Sequence, residues 1–312
     1  MKPWSSLLAI GAWMWEGRTM TRGMVAGLMA WCGVMAWAQG GGEGLEKATA
    51  LTSGGFTEGI EGPACDAKGV LYCVSFGTAP TIGRVTADGR AEAFVTLPSG
   101  RTGNGIRFEK DGRMLVADYT GHNVLRVDPA TREVTVVAHD ARMNQPNDLA
   151  MAPDGTVYAS DPSWARGTGQ VWRLDRQGRL HLEQEGMGTT NGIEVSPDGR
   201  LLYVNESIQR NVWVFDIGRD GRLSAKRLFR KFVDHGFDGM RCDADGKLYI
   251  TRHGKGTVVV LDPKGEVVRE VDVLGKHPTN LCFGGEDRRT VYVTEAEKKR
   301  VVMFRADRAG RE

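Results

Sequence analysis

The segment Thr189–Ser207 sets the pattern of the chain. Ile193 and Val195 alternate with polar neighbours, Pro197-Asp198-Gly199 supplies a turn, and Leu201–Val204 reads as a returning strand. Such a run predicts a β-hairpin. The signature recurs: Asn104-Gly-Ile leads through Asp111-Gly112 to Met114, and Asn147-Asp-Leu through Asp154-Gly155 to Val157. Asp238-Gly-Met leads through Asp245-Gly246 to Leu248, and Glu61-Gly-Pro through Lys68-Gly69 to Leu71. A less regular sixth copy runs from Pro278-Thr-Asn to Val291-Tyr-Val. The copies begin at Glu61, Asn104, Asn147, Asn191, Asp238 and Asn280, spaced by 43, 43, 44, 47 and 42 residues. A steady period of that length, built from short strands, predicts an all-β, six-bladed β-propeller with four-stranded blades. The last repeat has only three strands, ending at Val301–Phe304, while a spare strand over Leu45–Leu51 precedes the first. Pairing the two predicts a ring closed by an N-terminal strand, which removes the exposed edges.

Composition then divides the chain of 312 residues. Met20-Thr-Arg-Gly, the apolar run Met24–Met35 and the small-residue box Ala36-Trp37-Ala38 predict a secretory signal peptide within residues 1–38. The apolar run is too short for a membrane span. Met1–Thr19 has no role in this reading, and Met20 is the expected start. Residues 39–312 form a single propeller domain, expected in the periplasm or secreted. Without residues 1–38 the chain carries 38 basic and 38 acidic residues. That balance argues against nucleic acid or an anionic membrane as partner. Small-molecule substrate is the expected partner, and the oligomeric state stays open. Of the remaining cysteines, Cys65, Cys73, Cys242 and Cys282, three hold similar inner-strand places, so buried free thiols are expected. Were a disulfide to form, Cys65 with Cys73 is the first pair to suspect. No Cys-x-x-Cys or His-rich spacing points to structural zinc.

The blade order puts the inner-strand starts and the second-to-third-strand loops on one face, and the Asp-Gly turns on the other. Glu61, Asn104, Asn147, Asn191 and Asp238, with Asn280 or Thr279, therefore converge on the central channel. All offer oxygen, and two are carboxylates, which suits a hard divalent cation. The plainer reading treats Asn-Gly and Asp-Gly as turn formers. It accounts for Gly155 and Gly199 between strands, but poorly for oxygens that begin a strand, and not for a glutamate.

These residues resemble the SMP-30/gluconolactonase/luciferin-regenerating-enzyme-like group over about residues 45–306. The resemblance rests on Glu61-Gly-Pro, Pro146-Asn147-Asp148, Asn191-Gly192, Phe237-Asp238-Gly239-Met240 and Pro278–Gly285. It implies one divalent cation, calcium foremost, with magnesium, manganese or zinc as alternatives. The implied ligands are Glu61, Asn147, Asn191 and Asp238, with Asn147 also placed to touch substrate. Members of the group often carry Arg two residues before that Asn; here the position is Gln145, which weakens the case for an aldonolactone. Ser160–Gly169 looks like a lid, and its Gly167 and Gly169 are expected to let it move.

The implied chemistry is metal-dependent lactone hydrolysis, with Asp238 as general base and Glu61 as a plain ligand. Substrate contacts are expected from Asn104, Gln145, Asn147, Trp164, Arg252 and His253. Trp164 and Tyr119 are read as pocket walls, and Arg166 or Arg252 as a replacement for the missing Arg. His253 and His235 are the foremost histidines for proton transfer. Ser160 and Ser163 lack the surroundings of a nucleophile. Two other functions use the same face: a binding or scaffold propeller, and a phosphotriesterase-like hydrolase. A scaffold has no need of two carboxylates in a narrow channel.

Overall fold

Every apolar run of the repeat becomes a strand, and most are buried on both sides. The computed structural model describes residues 46–311, so the signal peptide expected over 1–38 lies outside the described residues. Blade 1 comprises Phe56–Cys65, Leu71–Phe76, Thr81–Val85 and Ala91–Thr96, and blade 2 Gly103–Phe108, Met114–Asp118, Asn123–Val127 and Val134–His139. Blade 3 holds Leu149–Met151, Val157–Ser163, Thr168–Leu174 and Leu180–Met187, and blade 4 Thr190–Val195, Leu201–Glu206, Asn211–Ile217 and Leu223–Lys231. Blade 5 holds Met240–Cys242, Leu248–Arg252, Thr257–Leu261 and Val267–Asp272, and blade 6 Pro278–Gly284, Thr290–Glu295 and Arg300–Arg305. Successive strands within each blade pair antiparallel, giving the expected six-bladed propeller.

The N-terminal segment closes the ring, in two pieces rather than one. Thr49–Ala50 forms the fourth strand of blade 6, with Thr49 opposite Met303 and Ala50 opposite Val302. Glu46–Lys47 instead lies parallel to the outer strand of blade 5, Glu46 opposite Val271 and Lys47 opposite Asp272. Between them Ala48 is buried with Val271, Val302 and Phe304.

Apolar clusters fill the seams between blades. Ile106, Val116 and Leu125 pack on Tyr72, Val74 and Ile82 of blade 1. Leu115, Ala117 and Val124, one residue out of phase, pack on Leu149 and Trp172 of blade 3. Alternate side chains of one strand thus serve opposite seams, which is why Met114–Ala117 shows no polar alternation. At the last seam Cys73 and Cys282 join the cluster. The four described cysteines are free, as expected, and Cys65 faces Cys282 at 3.9 Å rather than Cys73, the pair to suspect for a disulfide. Strand pairing explains the correction: Cys73 sits opposite Gly83, and Cys65 sits opposite Leu71.

Around the axis the inner strands come unusually close. A Cβ on Gly62 would lie 1.9 Å from Asn104 O, one on Gly105 3.0 Å from Asn147 O, and one on Gly192 2.4 Å from Asp238 O. The glycines that follow Glu61, Asn104, Asn191 and Asp238 are therefore contact residues of strands, not turn formers. Gly105 N–H donates to Asn147 O (2.8 Å), Gly192 N–H to Asp238 O (3.2 Å) and Gly239 N–H to Thr279 O (2.7 Å), lacing one blade to the next. Gly62 also holds φ +55°. Gly62→Ala adds left-handed strain to a backbone overlap, a combined cost of about 3 kcal/mol. Thermal denaturation should show a markedly lower Tm, whereas Gly155→Ala, with open space around it, should lose only its φ preference.

Candidate functional site

The inner strands deliver the predicted oxygens to one end of the channel. Glu61 is buried, and Gly62 N–H donates to its Oε2 at 2.8 Å. Its carboxyl lies within hydrogen-bonding reach of Asp238 and of Asn280. Burial raises Glu61 to about 7, with the charge of Asp148 adding to the rise against the Gly62 N–H. Asp238, partly open to the channel, is pushed well above the usual carboxylate range by desolvation and then by Glu61. Two carboxyls this close cannot both ionise cheaply without a cation.

Three amide oxygens of the repeat starts are also buried, and the Asn191 side chain lies within reach of Asp238. Oδ1 of Asn104, Asn147 and Asn191 is buried without a hydrogen-bond partner among the described residues. Asn191 is oriented by its other atom: Nδ2 donates to Ser207 Oγ at 3.0 Å, and Ser207 Oγ donates to Phe237 O at 2.6 Å. Buried acceptors left unmatched are costly, and two carboxyls with three such oxygens fit a hard cation. Among the described residues no three His, Cys, Asp or Glu side chains cluster as metal ligands. The candidate set is consistent with that, being mostly amide.

Beneath lies a group the sequence reading passed over. Asp148, fully buried, takes Arg107 Nη1 at 3.1 Å on Oδ1 and Arg241 Nη1 at 3.0 Å on Oδ2. Asn280 Nδ2 also donates to Oδ2, at 3.3 Å. Burial opposes ionisation, yet the two guanidiniums hold Asp148 below its ordinary value. The sequence did carry a signal: Arg107, Glu194 and Arg241 each stand three residues after a repeat start.

The pocket wall is a latched unit. Asp161, fully buried, accepts from the backbone N–H of Asn144 (2.9 Å) and Gln145 (2.6 Å), from Gln170 Nε2 (2.7 Å) and from Trp172 Nε1 (2.9 Å). Gln145 Nε2 in turn donates to Tyr119 OH at 2.9 Å, and its Oε1 accepts from Trp164 N–H at 3.2 Å. Gln145 thus braces the wall. Tyr119 is raised to about 12, by desolvation first and then by Asp238, which places it beside the carboxyls.

The Ser160–Gly169 segment departs from the expected lid. Asp161 pairs with Gln170, Pro162 with Gly169 and Ser163 with Thr168, so the blade 3 hairpin continues to a 3₁₀ turn at Trp164–Arg166. Gly169 is no hinge, since a Cβ there would meet Gly188 O at 2.4 Å. Arg166 hydrogen-bonds Asn144. Nor does Arg252 replace the missing arginine: it is buried, bonded to Asp234 O (2.6 Å) and Oδ1 (2.8 Å), and stacked 4.2 Å over Phe232. Ser160 Oγ is engaged with the backbone of Asp148. His253 stacks on His277, ring centroids 4.7 Å apart and 7° from parallel. Desolvation of the ring, then His277, lowers His253 to about 4 although part of its surface is exposed. His235 lies on the exposed connection between blades 4 and 5 at φ +42°.

Known proteins share this architecture. Gluconolactonase of Zymomonas mobilis is 31% identical over 215 residues, 61% of this chain and 60% of its own length. Regucalcin of Xenopus laevis is 27% identical over 240 residues, 60% of this chain and 80% of its own. The chain thus matches less than two thirds of the gluconolactonase's length. A calcium-binding regucalcin from Agrobacterium tumefaciens superposes with a TM-score of 0.73 at 22% identity, covering 85% of this chain and 95% of that one, a likeness of fold. The SMP-30/gluconolactonase/LRE-like model matches residues 57–297. The chain belongs to the SMP-30/gluconolactonase/LRE-like family.

Proposed function

We propose that this chain is a divalent-cation-dependent lactone hydrolase working at the channel head, in the periplasm or outside the cell. The observation that carries the reading is Asp238 within reach of both Glu61 and Asn191, with the amide oxygens of Asn104, Asn147 and Asn191 buried and unpartnered. Glu61, Asn147, Asn191 and Asp238 would hold the cation, calcium suiting an all-oxygen set best. Bound there, the ion supplies Lewis acidity toward a lactone carbonyl. Gly62 N–H fixes Glu61 as a ligand. Asp238, ionised when the cation balances its charge, would take the proton of the attacking water. Tyr119 keeps its hydroxyl proton, and Trp164, held by Gln145, offers an apolar wall. A second reading, cation holding without turnover, draws support from the likeness to regucalcins. Turnover of a lactone panel with and without chelator separates the two: hydrolysis lost on chelation supports the first, and cation binding with no turnover of any lactone supports the second.

Glu61→Ala and Asp238→Ala should each abolish cation binding, read by elemental analysis after dialysis, with circular dichroism unchanged. Unaltered metal content in both removes these residues from the site.

The raised carboxyls also set a pH dependence. A folded pKa of about 7 against an ordinary 4.5 for Glu61 means that its protonated form stabilises the cation-free fold. That contribution is complete below the ordinary value and lost as pH rises through the folded one. The Tm of chelated protein should fall between about pH 5 and 8, and saturating calcium should offset the fall. Glu61→Gln should flatten the dependence; an equal slope in that variant assigns it to other groups.

Wall and base should separate kinetically. Trp164→Ala is expected to raise KM about tenfold with little change in kcat, because the ring touches no reacting atom. Asp238→Asn should lower kcat by roughly 10²–10⁴-fold, the usual range for losing a general base. An unchanged KM in Trp164→Ala places the substrate elsewhere.

A further inference from the structure

A cavity of about 300 Å³ opens between blades 3 and 4 on the turn face, away from the channel head. Arg173 forms its inner wall. The Arg173 side chain is only 6% exposed, and its Nε donates to Glu183 Oε1 at 2.7 Å. Arg173 lines the cavity beside this buried ion pair. Gly221 packs closely on it: at φ +79° a Cβ there would stand 3.2 Å from Arg173 Cδ.

The rest of the wall is cationic and loosely paired. Arg219 forms no ion pair among the described residues. Arg222 reaches Asp220 only at 3.5 Å and Arg176 reaches Asp154 only at 3.8 Å. Arg179 and His181 share Asp175, each at 2.9 Å. Counting Glu183, the five arginines exceed the carboxylates by one. A wall with more guanidiniums than carboxylates, one of them nearly enclosed, favours an anion in the cavity. A tetrahedral oxyanion fits, with negative charge and several acceptor oxygens for a planar fork. The cavity is larger than such an ion and of the size that holds a small ligand.

We propose that this cavity binds the phosphate or sulfate group of a small polar monoester, gripped by Arg173 from within and Arg219 from the rim. The site is independent of the channel chemistry. Titration calorimetry on the full chain, prepared free of phosphate and sulfate, tests it with inorganic phosphate, inorganic sulfate and glycerol 3-phosphate, against sodium chloride at equal ionic strength. Saturable binding of the oxyanions but not chloride is expected. Arg219→Ala should weaken it about tenfold, the scale of one charge-assisted hydrogen bond, and leave lactone turnover unchanged. Arg173→Met should weaken it further, but strips Glu183 of its partner; if that variant does not fold, Arg219→Ala alone decides. Tighter binding of glycerol 3-phosphate than of inorganic phosphate assigns an ester, and equal binding assigns the free oxyanion. No saturable heat with any of the three, or affinity unchanged in Arg219→Ala, overturns the proposal.

Discussion

The structure depends on how closely its inner strands approach one another around the axis. Gly62, Gly105, Gly192 and Gly239 leave no room for a side chain, and three of them give their N–H to a carbonyl of the next blade. Glycines pressed on the adjacent blade bring the starts of the inner strands together at the axis, where the side chains that precede them gather. The ring of oxygens from Glu61, Asn104, Asn191 and Asp238 is in this sense a by-product of packing. Fold and candidate site are set by the same backbone contacts.

Charge is layered below that ring. Asp148 sits between Arg107 and Arg241, and its negative field helps lift both Glu61 and Asp238. Further along the channel Glu194 receives Arg311, whose Nε approaches Oε1 at 2.7 Å. Buried ion pairs return little net stability once desolvation is counted. Their effect here is electrostatic: they fix the sign and strength of the field at the channel head.

Much of this was legible in the sequence because propellers repeat. The interval between Glu61, Asn104, Asn147, Asn191 and Asp238 carried blade number, the inner strands and their channel-facing oxygens together. What it hid were features without periodicity. The Ser160–Gly169 hairpin reads as a loop because its Gly and Ser content resembles turn composition, while its order comes from the buried Asp161 carboxylate. Arg252 looks free for substrate until Phe232 and Asp234, on a connection of irregular sequence, are seen to enclose it. Gln145 marked a departure from the family pattern, but its bracing of Tyr119 and Trp164 depends on residues from three separate strand ends.

The split N-terminal segment bears on how the molecule is made. Thr49 pairs with Met303, 254 positions later, so a ribosome releases one half of the clasp long before the other. Until then Glu46–Lys47 and Thr49–Ala50 have no partners, because the blade 5 and blade 6 strands they join do not exist. The earlier blades can assemble seam by seam from local contacts, whereas closure waits on the most distant strand pairing among the described residues, the slow kind of step. A nascent chain of this protein is an open arc with a sticky edge at each end. Its vulnerability to association is greatest in the interval between synthesis of blade 5 and docking of Arg300–Arg305.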